Sequence, residues 1–188
     1  MPRDGKTNRS GSAAILELDE LQNLFGELDD PYRAISQICY LTAGRIGEVV
    51  NLRVEHLRNG YVVFPVPNTK TNETRKVVMS EPLQKVLERI KPAAGYLFSS
   101  GSKTGHITAR AVEKHVKLAA ELLGFEGVSL HSFRRSRLTH LHEQGWGLHE
   151  LKRVSGHKSL SQLQAYLGVD QAVVDEKLKQ ADVGFDVA

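Results

Sequence analysis

The chain has 188 residues and a mass of 20.9 kDa, enough for one domain with a sizeable core or two very small ones. Its 40% hydrophobic and 25% charged content is ordinary for a soluble globular domain, and a net charge of +3 with a pI near 9.0 leans towards an anionic partner. One cysteine, Cys39, excludes an internal disulfide; set among Ile35, Ile38 and Leu41 it reads as a small buried residue rather than a nucleophile. No run is long and apolar enough to span a membrane and the N-terminus lacks an apolar signal core, so the expected location is the cytoplasm.

Residues 1–14, MPRDGKTNRSGSAA, are small, polar and basic, and read as a flexible lead-in or linker. A first helix begins at Leu18-Asp19-Glu20-Leu21, with Asp19 as its expected cap and Leu21, Leu24, Phe25 and Leu28 as the inward stripe. Asp30-Pro31 starts a second helix by cap and first-turn proline, carrying Ile35, Ile38 and Leu41. Ala43-Gly44 interrupts it. Ile46, Val49 and Val50 resume helical spacing, which places Arg45 at a helix start beside a glycine that permits close approach of a ligand. Glu48, three residues on, can hold the Arg45 guanidinium in one orientation; the plainer reading is a surface ion pair of little worth.

Residues 61–66 and 76–79 are rich in β-branched and aromatic types, and the polar segment PNTKTNETR between them reads as a hairpin connection, with Pro65 and Pro67 at an edge or end of the sheet. Lys70 sits near the turn, where a long side chain can swing over a substrate; Lys76 and Lys103 are its rivals, and a solvated hairpin lysine is the plain alternative. Residues 81–90 form a helix ended by Lys91-Pro92, and Tyr96-Leu97-Phe98 is a short apolar segment before the loop SSGSKTGH. Residues 108–123 make a long helix with Val112, Val116, Ala119 and Leu123 inward, and Lys114 and Lys117 on a solvated face.

The stretch from His131 to Leu167 concentrates the chemistry. His131 and Arg134, three apart, share one face of a helix's first turn, where unpaired N–H groups and the positive end of the dipole favour a phosphate. Leu138 and Leu141 continue that side as an apolar stripe. A second helix spans residues 148–155 and ends on a left-handed Gly156, from which His157 emerges; Ser159 and Gln162 have capping-box spacing for a third over Leu160 and Leu163, with Tyr166 at its edge. Six cations (Arg134, Arg135, Arg137, Lys152, Arg153, Lys158) against Glu143 and Glu150 leave this stretch at +4, and five of the eight histidines fall in it. Such a surface with one well-placed phenol suggests phosphodiester chemistry. His140 and His142, two apart, face different ways on a helix and have no cysteine near, so neither spacing nor ligand set fits zinc. Trp146, between glycines, reads as a core or turn residue.

His131-Ser132-Phe133-Arg134, then Gly156-His157, then Tyr166 nine residues on, resembles the C-terminal signature of the tyrosine recombinases (phage-integrase family). Ala43-Gly44-Arg45-Ile46-Gly47-Glu48 resembles that family's first arginine box, and Asn68-Thr69-Lys70-Thr71 its lysine hairpin; the resemblance runs roughly over residues 18–169. It implies an α+β fold, a mainly α-helical catalytic domain with a small antiparallel sheet, over residues 15–169. Residues 170–188 would be a tail, with Val173, Val174 and Leu178 on one face, that passes between protomers.

The resemblance further implies a site-specific recombinase that cleaves and rejoins DNA through a 3′-phosphotyrosyl intermediate, with Arg45, Lys70, His131, Arg134, His157 and Tyr166 as the catalytic set. In-line attack builds negative charge on the non-bridging phosphate oxygens, and two arginines suit this because each presents a planar pair of donors. His157 gives a third donor, Tyr166 is the nucleophile, His131 its base, and Lys70 protonates the departing 5′ oxygen. No cofactor or metal is implied, and the partner is double-stranded DNA, bound by a chain that is a monomer when free and a tetramer on paired sites. The family's usual chain carries a separate DNA-clamping helical domain before this one, whereas a short polar lead-in precedes Leu18 here, as expected of an excised catalytic domain or an unusually short member. Two other readings remain at this point: a DNA-binding regulatory module without catalysis, and type IB topoisomerase-like relaxation of DNA.

Overall fold

The computed structural model describes residues 13–65 and 74–164, without the side chains of Gln162 and Gln164. The architecture is organised by one helix. In the ten residues YRAISQICYL, apolar and small side chains recur on every face, so this helix, α2 (Tyr32–Leu41), is buried nearly all round. Ala34, Ile35, Ile38 and Cys39 have essentially no exposure. Around it pack α1 (Leu18–Gly26), α3 (Ile46–Val50), α4 (Glu81–Ile90), α5 (Ala109–Leu122) and α6 (Leu130–Glu143). Asp30 caps α2 from just outside: its Oδ1 accepts the Ala34 N–H at 3.2 Å, with Pro31 at the N-cap.

A three-stranded antiparallel sheet in the order β1 (Leu57–Arg58), β2 (Tyr61–Phe64), β3 (Arg75–Val78) lies between α3 and α4 in the chain. The register pairs Tyr61 with Val78 and Phe64 with Arg75. The expected hairpin is therefore present, with two corrections. Arg75 belongs to a strand rather than to the polar connection, and a further strand, β1, precedes it. β1 and β2 are joined by Asn59-Gly60, both at positive φ (53° and 76°), the two-residue turn whose twist matches that of paired strands.

Most other expected elements appear at their expected places. Helix α4 begins after Ser80 and ends before Lys91-Pro92; α5 starts one residue later than expected because Thr108 is its cap, the hydroxyl accepting the Ala111 N–H at 3.2 Å. At α1 the cap is Glu17 and not Asp19, two residues earlier, since Glu20 reaches back to the Glu17 N–H at 2.8 Å. Trp146 lies in the turn after α6 and is 39% exposed, a turn residue and not a core one. The 1–14 lead-in lies outside the described residues apart from its last two, and the 170–188 tail lies outside them entirely.

Two apolar clusters result. The larger gathers α1 to α5, the sheet and Phe133; the smaller comprises Ala43, Leu138, Leu141, Leu151 and Leu163, under α7 (Leu148–Ser155) and α8 (Leu160–Gln164). Helix α6 spans both, through Phe133 at one end and Leu138 and Leu141 at the other. Between them, on α6, stands Arg134. Among the described residues no helix is long and apolar enough to cross a membrane.

Candidate active site

The site begins where α2 stops. Thr42 caps its C-terminus, its hydroxyl donating to the Ile38 carbonyl at 2.6 Å, and Ala43 follows with φ 48°, a left-handed conformation that costs a non-glycine residue roughly 1–2 kcal/mol. Gly44 comes next because nothing larger fits: a Cβ there would stand 2.8 Å from Thr42 Oγ1 and 2.9 Å from a Val49 methyl. The sharp turn presents two successive carbonyls, and each receives a guanidinium. Arg134 Nη1 donates to Ala43 O, and Arg75 Nη1 donates to Thr42 O at 2.8 Å. Cations at the end of α2 also complement its dipole. Local strain is thus held by contacts from strands and helices distant in sequence.

Arg45, the N-cap of α3, donates through its backbone N–H to Glu48 Oε2 at 3.0 Å and through Nη1 to Glu48 Oε1 at 2.8 Å. This is no surface ion pair, because Glu48 is 2% exposed. Nor is it a pair: Arg75 Nη2 donates to the same Oε2 at 2.9 Å, so one carboxylate sits between two guanidiniums. Burial pushes the Glu48 carboxyl up, but Arg75 and Arg45 outweigh it and hold the group below the usual carboxylate range.

Arg134 is 1% exposed, and its Nη2 faces the His157 ring, 3.1 Å from Nε2 and 3.3 Å from Nδ1. Gly156, left-handed at φ 66°, closes α7 and turns His157 inwards. Ser155 Oγ lies 2.7 Å from His157 Nδ1. Burial, followed by the nearby charges of Arg134, Arg45 and Arg75, pushes the His157 imidazole down to about 3, so it is neutral at ordinary pH. An arginine can only donate. The ring nitrogen that meets Arg134 therefore accepts from it, and the other carries the hydrogen.

Three arginines 30 to 89 residues apart thus converge on one histidine, and Arg45, Arg134 and His157 of the expected set are brought together. His131 occupies the first turn of α6, one turn before Arg134, with its side chain exposed. Lys70 and Tyr166 lie outside the described residues. Lys76 and Lys103 are both exposed. Among the described residues Glu48 is the one buried carboxylate, while Arg75 and Arg134 are both buried. Two buried guanidiniums to one buried carboxylate among the described residues suit an anion.

Sequence reasoning missed Arg75 and Ser155. The signal for Arg75 lay in the two-residue period of a strand: Val77 packs against the core, so Arg75, two residues before it, points the same way. No such signal marks Ser155. Among the described residues no three of His, Cys, Asp and Glu gather as a metal site requires. His140 is buried against Tyr40, its Nδ1 3.0 Å from the phenol oxygen, whereas His142 lies 3.3 Å from the Trp146 carbonyl, so the two do not share a ligand.

Residues 14–172 match the Phage integrase family. The chain belongs to that family. It is 29% identical to the integrase of Escherichia phage P2 over 151 residues, covering 80% of this chain and 42% of that protein. The chain spans about half the length of the curated relatives it matches. In fold it is similar to the Tn1549 transposon integrase solved with a circular intermediate DNA (TM-score 0.75, 16% identity, 92% of this chain and 67% of that one). It is also similar to the catalytic domain of bacteriophage HP1 integrase (TM-score 0.67, 21% identity), covering 94% of this chain and all of that one. The mainly helical fold with a small antiparallel sheet is thus that of the integrase catalytic domains.

Proposed function

We propose that this domain cleaves and rejoins DNA strands as a site-specific recombinase, through a 3′-phosphotyrosyl intermediate on Tyr166. The observation that carries this reading is the convergence of Arg45, Arg134 and His157 at the strained turn after α2. Arg45 and Arg134 offer paired donors to the two non-bridging oxygens, where charge grows as the phenol attacks. Their rigidity matters as much as their charge: Glu48 holds one and the Ala43 carbonyl the other, so neither has to reorganise in the transition state. Neutral His157 lends a donor once the phosphate replaces it as partner of Arg134. Tyr166 supplies the nucleophile, His131, exposed at the helix start, its base, and Lys70 the proton for the departing 5′ oxygen; these roles follow the family motifs.

The phosphotyrosyl bond retains the energy of the broken phosphodiester, so rejoining needs no nucleotide cofactor. The partner is double-stranded DNA, bound in the cytoplasm by a monomer that assembles as a tetramer on paired sites. The neighbour solved with DNA, the Tn1549 integrase, supports that partner.

The test is to trap the protein on a nicked suicide duplex and map the covalent peptide. The adduct is expected at Tyr166 and should vanish in Tyr166→Phe with DNA binding nearly intact. An adduct persisting in that variant overturns the assignment. Plasmid relaxation independent of paired sites would instead make the protein a topoisomerase of the same chemistry.

A further inference from the structure

Arg75 is 7% exposed, and its guanidinium makes four contacts, each to a different element. Nη1 donates to Thr42 O at the end of α2 (2.8 Å) and to Val154 O near the end of α7 (2.7 Å). Nη2 donates to Glu48 Oε2 on α3 (2.9 Å), and the carbon at the centre of the fork lies 4.1 Å over the Phe64 ring on β2. Its aliphatic stem fills the space beside Gly156, where a Cβ would come within 3.1 Å of Cδ. Burying a guanidinium is costly, and an apolar side chain of similar volume would join the same elements more cheaply. What an apolar side chain cannot do is set directions. Two of the partners of Arg75 lead straight to the phosphate site: Glu48 holds Arg45 with its other oxygen, and Val154 is three residues before His157.

We infer that Arg75 is a positioning residue for strand cleavage, orienting Arg45 through Glu48 and fixing the α7 end from which His157 projects. The inference rests on the strand-transfer reading above. Arg75 itself does not reach the phosphate; it sets the angle at which Arg45 presents its donors. The same side chain also places β3, and so the strand end of the hairpin that carries Lys70, against both. A misplacement of about 1 Å in such a site costs on the order of a hundredfold in rate.

The experiment compares single-turnover cleavage of a half-site suicide duplex by wild type, Arg75→Met, Glu48→Gln and the double variant, with DNA affinity measured alongside. Arg75→Met is expected to cleave roughly a hundredfold more slowly with half-site affinity nearly unchanged. The double variant should be about as slow as the slower single one, because both changes break one chain of contacts. Losses that multiply in the double variant would overturn the route through Glu48. A 5′-bridging sulfur, which leaves without a proton, should rescue Lys70→Ala and not Arg75→Met; rescue of Arg75→Met would place its action on the leaving group and overturn the inference. Should Arg75→Met lack a cooperative thermal transition, Arg75→Lys takes its place. It keeps the charge but cannot bridge three acceptors, so a folded Lys variant should still lose at least about tenfold. Full-rate cleavage by either folded variant sinks the positioning role while leaving the strand-transfer reading standing. Failure of wild type to form any adduct sinks that reading instead.

Discussion

The two apolar clusters of this domain are held in different ways. The larger closes around α2 mainly by apolar contact, with Ile35, Ile38, Leu24 and Leu52 fully buried, and the ion pair that joins α4 to the start of α2, Arg89 with Asp30, lies at its exposed rim. The smaller has five buried side chains, and it meets the larger across a polar seam of Glu48, Arg75, Arg134, Ser155 and His157, with Arg45 at its edge on Glu48. Helix α7 is tied to the sheet across that seam by the bond from Arg75 to the Val154 carbonyl. Buried ion pairs are a weak source of stability, because desolvation offsets most of the attraction. They fix direction well. The seam therefore trades stability for orientation in the one place where donors must be aimed, and the larger cluster offsets the loss.

If that contrast is right, removing a seam guanidinium damages chemistry most. Arg134→Ala and Arg45→Ala should each slow cleavage by roughly two to three orders of magnitude, the scale for losing one preorganised transition-state donor. Lysine at either position should restore little, since a point charge does not reproduce a fork. Single-turnover cleavage measures this, and a fully active lysine variant would break the contrast. Truncation in the two clusters should separate them by range of effect. Ile38→Ala and Leu151→Ala each remove a fully buried aliphatic side chain, at about 2–5 kcal/mol. Ile38→Ala should lower the global unfolding transition, whereas Leu151→Ala should chiefly raise hydrogen exchange in α7 and leave the α2 amides protected. Equal loss of protection in both helices would show that the seam does not divide the domain.

The same contrast explains what could be read from the sequence. The larger cluster follows from helical periodicity and end signals: Leu83, Val86 and Leu87 mark α4, and Lys91-Pro92 its end. Around the site, Arg45, Arg134 and His157 were legible from their motifs, as was the pairing of Glu48 with Arg45. What was not legible is the part made by contacts between distant segments. Arg75, in a run of polar residues, looks like a solvated turn until β3 is paired with β2 in register. Ser155 looks like an ordinary last helical residue until Gly156 folds His157 back over it. The missed strand β1 is of another kind, since Asn59-Gly60 is a strong local turn signal that was present.

Gly156 offers a finer probe of the seam. It sits at φ 66°, so alanine there carries roughly 1–2 kcal/mol of backbone strain, and its Cβ would also press on the Arg75 stem at 3.1 Å. Gly60, at φ 76° with open space around it, carries the strain without the contact. The two alanine variants should lose similar stability in thermal unfolding, but only Gly156→Ala should cleave more slowly, because only it displaces Arg75. Equal cleavage rates in the pair would separate Arg75 from catalysis.

The smallest effect at neutral pH, and the most specific to the seam, is the titration of His157. Burial and three neighbouring guanidiniums hold its folded value at about 3, against about 6.5 when unfolded. Between those values the unfolded chain binds a proton that the folded chain refuses, so stability rises with pH. The contribution is complete above about pH 6.5 and declines as the pH falls, with a slope of at most about 1.4 kcal/mol per pH unit for one such group. Glu48 works in the same direction but only below the ordinary carboxylate range, so pH 7 to 5 isolates the histidines. Within that window His56 is also depressed, first by burial, which is why the useful quantity is a difference between proteins. Denaturant unfolding across pH 7 to 5 should show a shallower decline for His157→Asn than for wild type. Parallel slopes for wild type and His157→Asn would mean that the imidazole is protonated and solvated in the folded protein, and that the seam is open where the contacts of Arg134 and Ser155 close it.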